Sequence, residues 1–160
     1  IEGNLVGETK YSYHENGLIK SEKHYKDGKQ DGKWTDWYEN GQKGLERNYK
    51  VGKKDGKWTK WNENGQKEVE ENYKDGKKVS QTDYYYYDNG QIDRRLNYKD
   101  DNKDGKWTKW YENGQMMVEE NWKDGKLDGK WTEWYENGQI MQEINYKDGK
   151  AHQKSLILII

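Results

Sequence analysis

The segment Asp-Gly-Lys-Trp-Thr-x-Trp-Tyr-Glu-Asn-Gly-Gln returns along this chain with a period of 24 residues, most clearly at Asp31–Gln42, Asp55–Gln66, Asp104–Gln115 and Asp128–Gln139. The Asn-Gly pairs that punctuate it begin at Asn16, Asn40, Asn64, Asn89, Asn113 and Asn137, so the spacing slips once, to 25, before Asn89. A fixed period of this length means supersecondary units that stack on their neighbours, each burying a face the next one covers. That constraint outweighs composition. Hydrophobic residues make up 29% of the 160 and charged residues 37%, values that suit a disordered chain. The aromatic residues, 14% and all Trp or Tyr, recur at fixed positions and demand order. The apolar mass is too small for a compact globule and sufficient for a thin repeat structure.

Within one period the second unit reads as a hairpin. Trp34–Glu39 is rich in strand formers, Asn40-Gly41 is the strongest short signal for a two-residue type I′ turn, and Gln42–Tyr49 returns as the second strand. The link Lys26–Lys33 supplies further bends through two Asp-Gly pairs. The absence of Pro fits a chain that is nearly all strand and tight turn. A type I′ turn predicts Tyr38 opposite Lys43 and Trp37 opposite Gly44, and from that register two faces can be sorted.

One face carries Trp34, Tyr38, Leu45 and Tyr49, with Trp58, Val69 and Tyr73, then Ile92, Leu96 and Tyr98, then Trp107, Tyr111, Met116, Val118 and Trp122, and then Trp131, Tyr135, Ile140, Ile144 and Tyr146 in the same columns further on; it is the expected apolar spine. The opposite face carries a row of Trp (Trp37, Trp61, Trp110, Trp134), a row of Glu (Glu22, Glu46, Glu70, Glu119, Glu143) and a row of Asn (Asn48, Asn72, Asn97, Asn121, Asn145). These rows admit two readings. They are ladders that hold neighbouring hairpins together, or they are a recognition surface in which aromatic faces flanked by carboxylates take cationic or amphipathic partners. The fourth unit, residues 78–98, departs from the pattern: Asp83-Tyr84-Tyr85-Tyr86-Tyr87 replaces the Trp-bearing strand, Arg94-Arg95 replaces an apolar-acidic pair, and the extra residue predicts a bulge. Arg95 interrupts the acidic row.

Catalytic and metal chemistry find little support. His14, His24 and His152 share no ligand spacing, no Ser has a nucleophile-elbow context, and no Cys is present. The string Asp100-Asp101-Asn102-Lys103-Asp104-Gly105 matches the opening of a calcium loop, but its twelfth position is Tyr111 where a bidentate Glu is needed, and it aligns with the ordinary link between hairpins. Basic and acidic residues balance at 29 and 30, so the groove that nucleic acid requires is absent from the pattern. Stacked Trp would also suit a sugar face.

The spacing Tyr-Lys-Asp-Gly-Lys-x-Asp-Gly-x-Trp-x-x-Trp-Tyr-Glu-Asn-Gly resembles the variant form of the membrane occupation and recognition nexus (MORN) repeat, and it is similar to arrays in bacterial YwqK-family antitoxins of toxin–antitoxin systems. The resemblance spans Tyr11 to Lys150 and is more specific for the repeat than for function. It implies single-layer hairpins stacked in an elongated, twisted solenoid, a binding or scaffolding role and, for the antitoxin branch, neutralisation of a toxin by direct contact. MORN arrays are also linked to lipid association; the near-neutral charge and the Gly-Lys-Trp string depart from that pattern.

The expected architecture is therefore all-β, an elongated single-layer solenoid of about six antiparallel hairpins in one array over residues 1–160, with 151–160 as a tail or cap. The expected function is a non-enzymatic protein-binding scaffold, with a toxin as one partner. The binding residues are Trp37, Trp61, Trp110, Trp134, Glu46, Glu70, Glu119 and Glu143, and neither cofactor nor metal nor nucleic acid is called for. The alternative is a structural or surface protein that self-assembles, for instance through Leu156–Ile160 at an open edge. An antitoxin would be cytoplasmic, and an upstream signal peptide would place the protein at the surface. The first residue, Ile1, suggests a fragment or a processed chain.

Overall fold

A computed structural model describes residues 7–156, with the backbone alone for 153–156. Beyond Leu156, the apolar run expected to cap an edge lies outside the described residues. The all-β expectation holds: the described residues form sixteen strands and no helix, and every described strand pairing is antiparallel.

The chain divides into two compact units, Ile1–Val79 and Ser80–Ile160. The first holds β1 (Gly7–Tyr13), β2 (Ile19–Lys26), β3 (Lys29–Trp37), β4 (Lys43–Lys50), β5 (Lys53–Lys54), β6 (Gly56–Trp61) and β7 (Lys67–Lys74). They lie in the order β1-β2-β3-β4-β6-β7, with the short β5 paired to β4. The boundary falls within β8 (Lys77–Tyr86). The second unit continues with β9 (Ile92–Lys99), β10 (Asn102–Lys103), β11 (Gly105–Trp110), β12 (Met116–Lys123), β13 (Lys126–Leu127), β14 (Gly129–Trp134), β15 (Ile140–Lys147) and β16 (Lys150–Leu156). Its order is β8-β9-β11-β12-β14-β15-β16, with β10 on β9 and β13 on β12. Each unit is thus a meander in which strands pair with their neighbours in the chain.

The turn chemistry differs from the expectation at Asn-Gly. Of Asn40-Gly41 only the glycine has positive φ, 82°. The Tyr38 N–H donates to Gln42 O at 2.8 Å and the Gly41 N–H to Tyr38 O at 2.9 Å. This is a three-residue loop, a type I turn closed by a left-handed glycine. Trp37 then faces Lys43, not Gly44, and a bulge between Asp36 and Trp37 restores the register, so that Asp36 faces Leu45 and Trp34 faces Arg47. The two offsets cancel beyond the bulge, so there the two faces come out as expected although the turn does not; between turn and bulge the faces exchange, and Ile92, Met116 and Ile140, expected on the spine, stand opposite Tyr86, Trp110 and Trp134 on the second-Trp face. The same bulge recurs at Trp61, Trp110 and Trp134. Positive φ at two successive residues, as in a type I′ turn, sits instead at the first turn of the links: Asp27 and Gly28 have φ of 50° and 71°, with Lys26 paired to Lys29 across them, and Val51-Gly52 and Asp100-Asp101 take the same place further on.

In the first unit the spine is an unbroken zipper of rings. Tyr25–Trp34, Trp34–Tyr49, Tyr49–Trp58 and Trp58–Tyr73 have centroids 5.1, 5.0, 5.3 and 5.1 Å apart at tilted or edge-on angles. Such pairs contribute about 0.5–1.5 kcal/mol each beyond the area they bury. In the second unit Tyr98, Trp107 and Trp122 repeat the motif. Lys54 lies 4.0 Å over Trp58, and Lys103 lies 3.9 and 4.1 Å over Trp107 and Trp122, closing the zipper from outside with cation–π contacts. Among the described residues Trp34, 8% exposed, is the one hydrophobic residue that is buried outright, as expected of a single layer. Tyr38, assigned to the spine by its column, also ties hairpins together: its hydroxyl donates to Trp61 O at 2.7 Å. Tyr87 and Tyr111 donate to Trp110 O and Trp134 O in the same way.

The seams between hairpins are narrow. β4 and β6 pair only at Leu45–Lys60 and Glu46–Thr59, and β12 and β14 only at Val118–Glu133 and Glu119–Thr132. Beyond those positions the Asn row takes over. The Asn48 carbonyl accepts from Trp58 Nε1 at 3.0 Å and from the Asp55 N–H at 3.1 Å, while Asn48 Nδ2 donates to Lys57 O at 2.5 Å. Asn97 and Asn121 donate likewise to Lys106 O and Lys130 O.

The fourth hairpin contains no bulge beyond the common one, here between Tyr85 and Tyr86. Its inserted residue lengthens β8, which runs ten residues without the Asp-Gly break found in β5–β6 or β10–β11. Tyr84 faces Arg95 where the four Trp-bearing hairpins place Thr opposite Glu. Because Asn48 serves the seam through its side chain, Asn48→Ala is expected to cost about 1–2 kcal/mol in urea unfolding, and Asn48→Asp, which cannot donate, about as much.

Candidate functional site

The face opposite the spine is built on the Thr column. Thr35, Thr59, Thr108 and Thr132 are 3–4% exposed, among the most buried side chains described, because larger neighbours on the same face cover them. Thr35 pairs with Glu46 and Thr59 with Glu70; Thr108 pairs with Glu119 and Thr132 with Glu143. Two residues after each Thr stands the second Trp, half-buried in all four cases: Trp37, Trp61, Trp110 and Trp134. Each unit therefore brings two of these Trp and two of these Glu onto one face, as the column assignment expects.

The carboxylates do not stand alone. Glu46 holds Lys33 at 3.5 Å and Lys43 at 2.7 Å, Glu70 pairs with Lys57 and Lys67, and Glu119 and Glu143 hold Lys106 and Lys130 at 2.9 and 2.8 Å. Lys43 also lies 5.9 Å from the Trp61 ring. Burial pushes the Glu46 carboxyl up, but the hydrogen bond and charge of Lys43, together with Lys33, outweigh it and hold the group below its ordinary range. The row is a neutralised Glu–Lys strip beside exposed indole edges. Lys33 was legible, since it alternates onto the Thr face, whereas Lys43, placed opposite Tyr38 by the expected turn, reaches this face only through the offset at the bulge.

The indoles of the two Trp columns differ in their polar tips. On the spine, Trp34, Trp58 and Trp107 donate Nε1–H to the carbonyls of His24, Asn48 and Asn97 at 2.8, 3.0 and 2.6 Å. Among the described residues, none of Trp37, Trp61, Trp110 and Trp134 has a hydrogen-bond partner for its indole N–H. The partners that face them across the turn also differ between units: Lys43 and Lys67 in the first, Met116 and Ile140 in the second.

The other candidates resolve into scaffold. His14 Nε2 lies 2.8 Å from Trp37 O in the Tyr column, and His24 contacts Thr9 and Glu22. In the calcium-like string, Asp100 and Asp101 form the positive-φ turn, Asp104 Oδ2 accepts the Asp124 N–H, and Lys103 covers two rings. No group of three potential metal ligands occurs among the described residues.

A family model described as MORN repeat variant matches the chain six times, over residues 9–27, 30–50, 54–75, 84–100, 103–124 and 127–148. The six matches coincide with the six hairpins, including the irregular fourth. A search among curated proteins finds no match.

The division between the Trp columns predicts different costs. Trp58→Ala, which removes two ring contacts and an indole hydrogen bond, is expected to lower stability by about 3 kcal/mol, and Trp61→Ala by no more than about 1 kcal/mol; chemical denaturation compares them. The Glu46 carboxyl has a depressed pKa in the folded chain, so its contribution is full above its ordinary value of 4.5 and is lost as the pH falls through the depressed one. Unfolding midpoints should decline across that acid window, and Lys43→Met should make the decline shallower.

Proposed function

The chain belongs to the MORN repeat variant family, and from that footing we propose that this repeat scaffold is a non-enzymatic protein-binding module whose contact surface is the second-Trp face. The observation that carries the reading is the row of four half-buried indoles whose N–H groups lack protein acceptors, while the spine indoles Trp34, Trp58 and Trp107 have theirs. Trp combines a large rigid apolar area with one polar tip and is over-represented where interfaces concentrate binding energy. The Glu–Lys strip beside it supplies a polar rim in which every charge already has a partner, so a partner docks without stranding a buried ion. Neutralisation of a toxin by covering its surface is one form of such binding, and the resemblance to the antitoxin branch favours it. Changing Trp61 and Trp110 together to Ala is expected to weaken partner binding at least tenfold, about 1.4 kcal/mol or more, with an unchanged far-ultraviolet circular dichroism spectrum. Undiminished binding by that double variant removes the assigned face from consideration.

A second reading, end-to-end assembly, is favoured by β1, which ends the strand order of the first unit among the described residues and exposes Tyr11 by 52% and Tyr13 by 61%. It predicts a scattering mass that rises with concentration and falls back in a Tyr11→Lys, Tyr13→Lys variant; a constant mass rejects it.

A further inference from the structure

On the spine face of the second unit, opposite the second-Trp row, a dimple of 240 Å³ opens between β9, β11 and β12. Leu96, Val118 and Trp107 form its apolar floor, and its charged lining is Arg94, Lys103, Lys109 and Glu120. Three cations thus line it with one carboxylate, and a second carboxylate, Asp93, pairs with Arg94 beside it. The lining carboxylate is engaged, since Glu120 Oε2 accepts Trp122 Nε1–H at 2.7 Å. Lys103 is held over the rings of Trp107 and Trp122. Arg94 stacks 4.5 Å from Tyr85 and donates Nε–H to Asp93 at 2.8 Å, with its side chain still 45% exposed.

The backbone register adds a second observation. Lys109 and Arg94 are direct partners across the β9–β11 seam. Like charges placed opposite one another destabilise a sheet. At the equivalent seam positions elsewhere the pairs are Leu45–Lys60 and Val118–Glu133, where no such conflict exists. The matching dimple in the first unit, 310 Å³ over Leu45, Trp58 and Val69, carries Lys60 and Glu71 in its lining, and its Lys60 is ion-paired with Glu68. The second-unit dimple therefore couples an apolar floor of this kind to a positive rim in which Lys109, unlike Lys60, has no carboxylate partner among the described residues.

We infer that this dimple binds an acidic peptide segment of a partner protein, seating one leucine-sized side chain on Leu96, Val118 and Trp107 while a flanking carboxylate bridges Arg94 and Lys109. The bound carboxylate would relieve the repulsion that the register imposes, and charge-assisted hydrogen bonds from a guanidinium and an ammonium would fix it. A shallow apolar floor suits a single branched side chain. The site stands apart from the second-Trp row, so its occupancy does not depend on that row's role.

The test uses three synthetic peptides, acetyl-EDLDE-amide, acetyl-EDADE-amide and acetyl-QNLNQ-amide, titrated into the full chain while the Trp107 indole signal is followed by NMR. The first should bind saturably and the other two at least about tenfold more weakly. Lys109→Glu should weaken binding of acetyl-EDLDE-amide by at least about tenfold while raising the thermal midpoint, because an Arg–Glu pair replaces two cations. Arg94→Gln should also weaken binding. Trp110→Ala with Trp134→Ala should leave it intact, which separates this site from the second-Trp face. Absence of saturable binding, equal affinity for the three peptides, tighter binding of an oligothymidylate, or full affinity in Lys109→Glu would each overturn the assignment.

Discussion

Neighbouring hairpins in this protein are joined by very little backbone. At the β4–β6 seam two residue pairs complete the ladder, after which the Asp-Gly step turns the chain and leaves polar main-chain groups that must find partners. The Asn48 carbonyl takes two of the donors, Trp58 Nε1–H and the Asp55 N–H, and the Asn48 side chain supplies a donor to Lys57 O. The repeat motif follows from this one junction. Gly56 adopts a φ of 94° to make the step, Asp55 and Trp58 present the donors, and Asn48 receives and returns them. The aromatic zipper then forms because an indole pinned by its nitrogen to the preceding hairpin is held against that hairpin's Tyr49 ring.

A chain so poor in aliphatic residues keeps its order by burying small and amphipathic groups. Thr59 and Thr108 are nearly inaccessible in a sheet that has only one layer, since Trp and ion-paired Glu and Lys lie over them. Lysine stems and heads cover the spine rings from the other side. These charges are part of the packing, and a high charged fraction coexists with a unique fold because nearly every column has an assigned partner.

The period, the two faces and the body of the register were legible, because each follows from side-chain alternation and a turn anchor. The turn types were exchanged. Asn-Gly was read for its tolerance of positive φ, whereas Asn40 is used for its side chain: Oδ1 accepts the Gln42 N–H at 2.9 Å and Nδ2 donates to Glu63 O of the following hairpin at 2.7 Å. That second bond is non-local, and a local reading of turn chemistry has no access to it. The same limit applies to Tyr38, whose column marks it as spine but whose hydroxyl reaches the next hairpin. The Glu column was legible as a row and not as half of a Glu–Lys strip, because attention to one repeated residue hides the partner repeated beside it.

What remains free after folding is satisfied differs between the two units. In both, the second Trp stands outside the hydrogen-bond network that Trp34, Trp58 and Trp107 anchor, so its identity is constrained by the face it presents more than by the seam. In the first unit its cross-strand partners are Lys43 and Lys67, each also bound to a row carboxylate; the indoles there are edged by fixed charge. In the second unit the partners are Met116, 38% exposed, and Ile140, and the strip beside them is thinner, with one lysine on each of Glu119 and Glu143. The same backbone therefore offers a polar-rimmed aromatic surface in one unit and a more apolar one in the other.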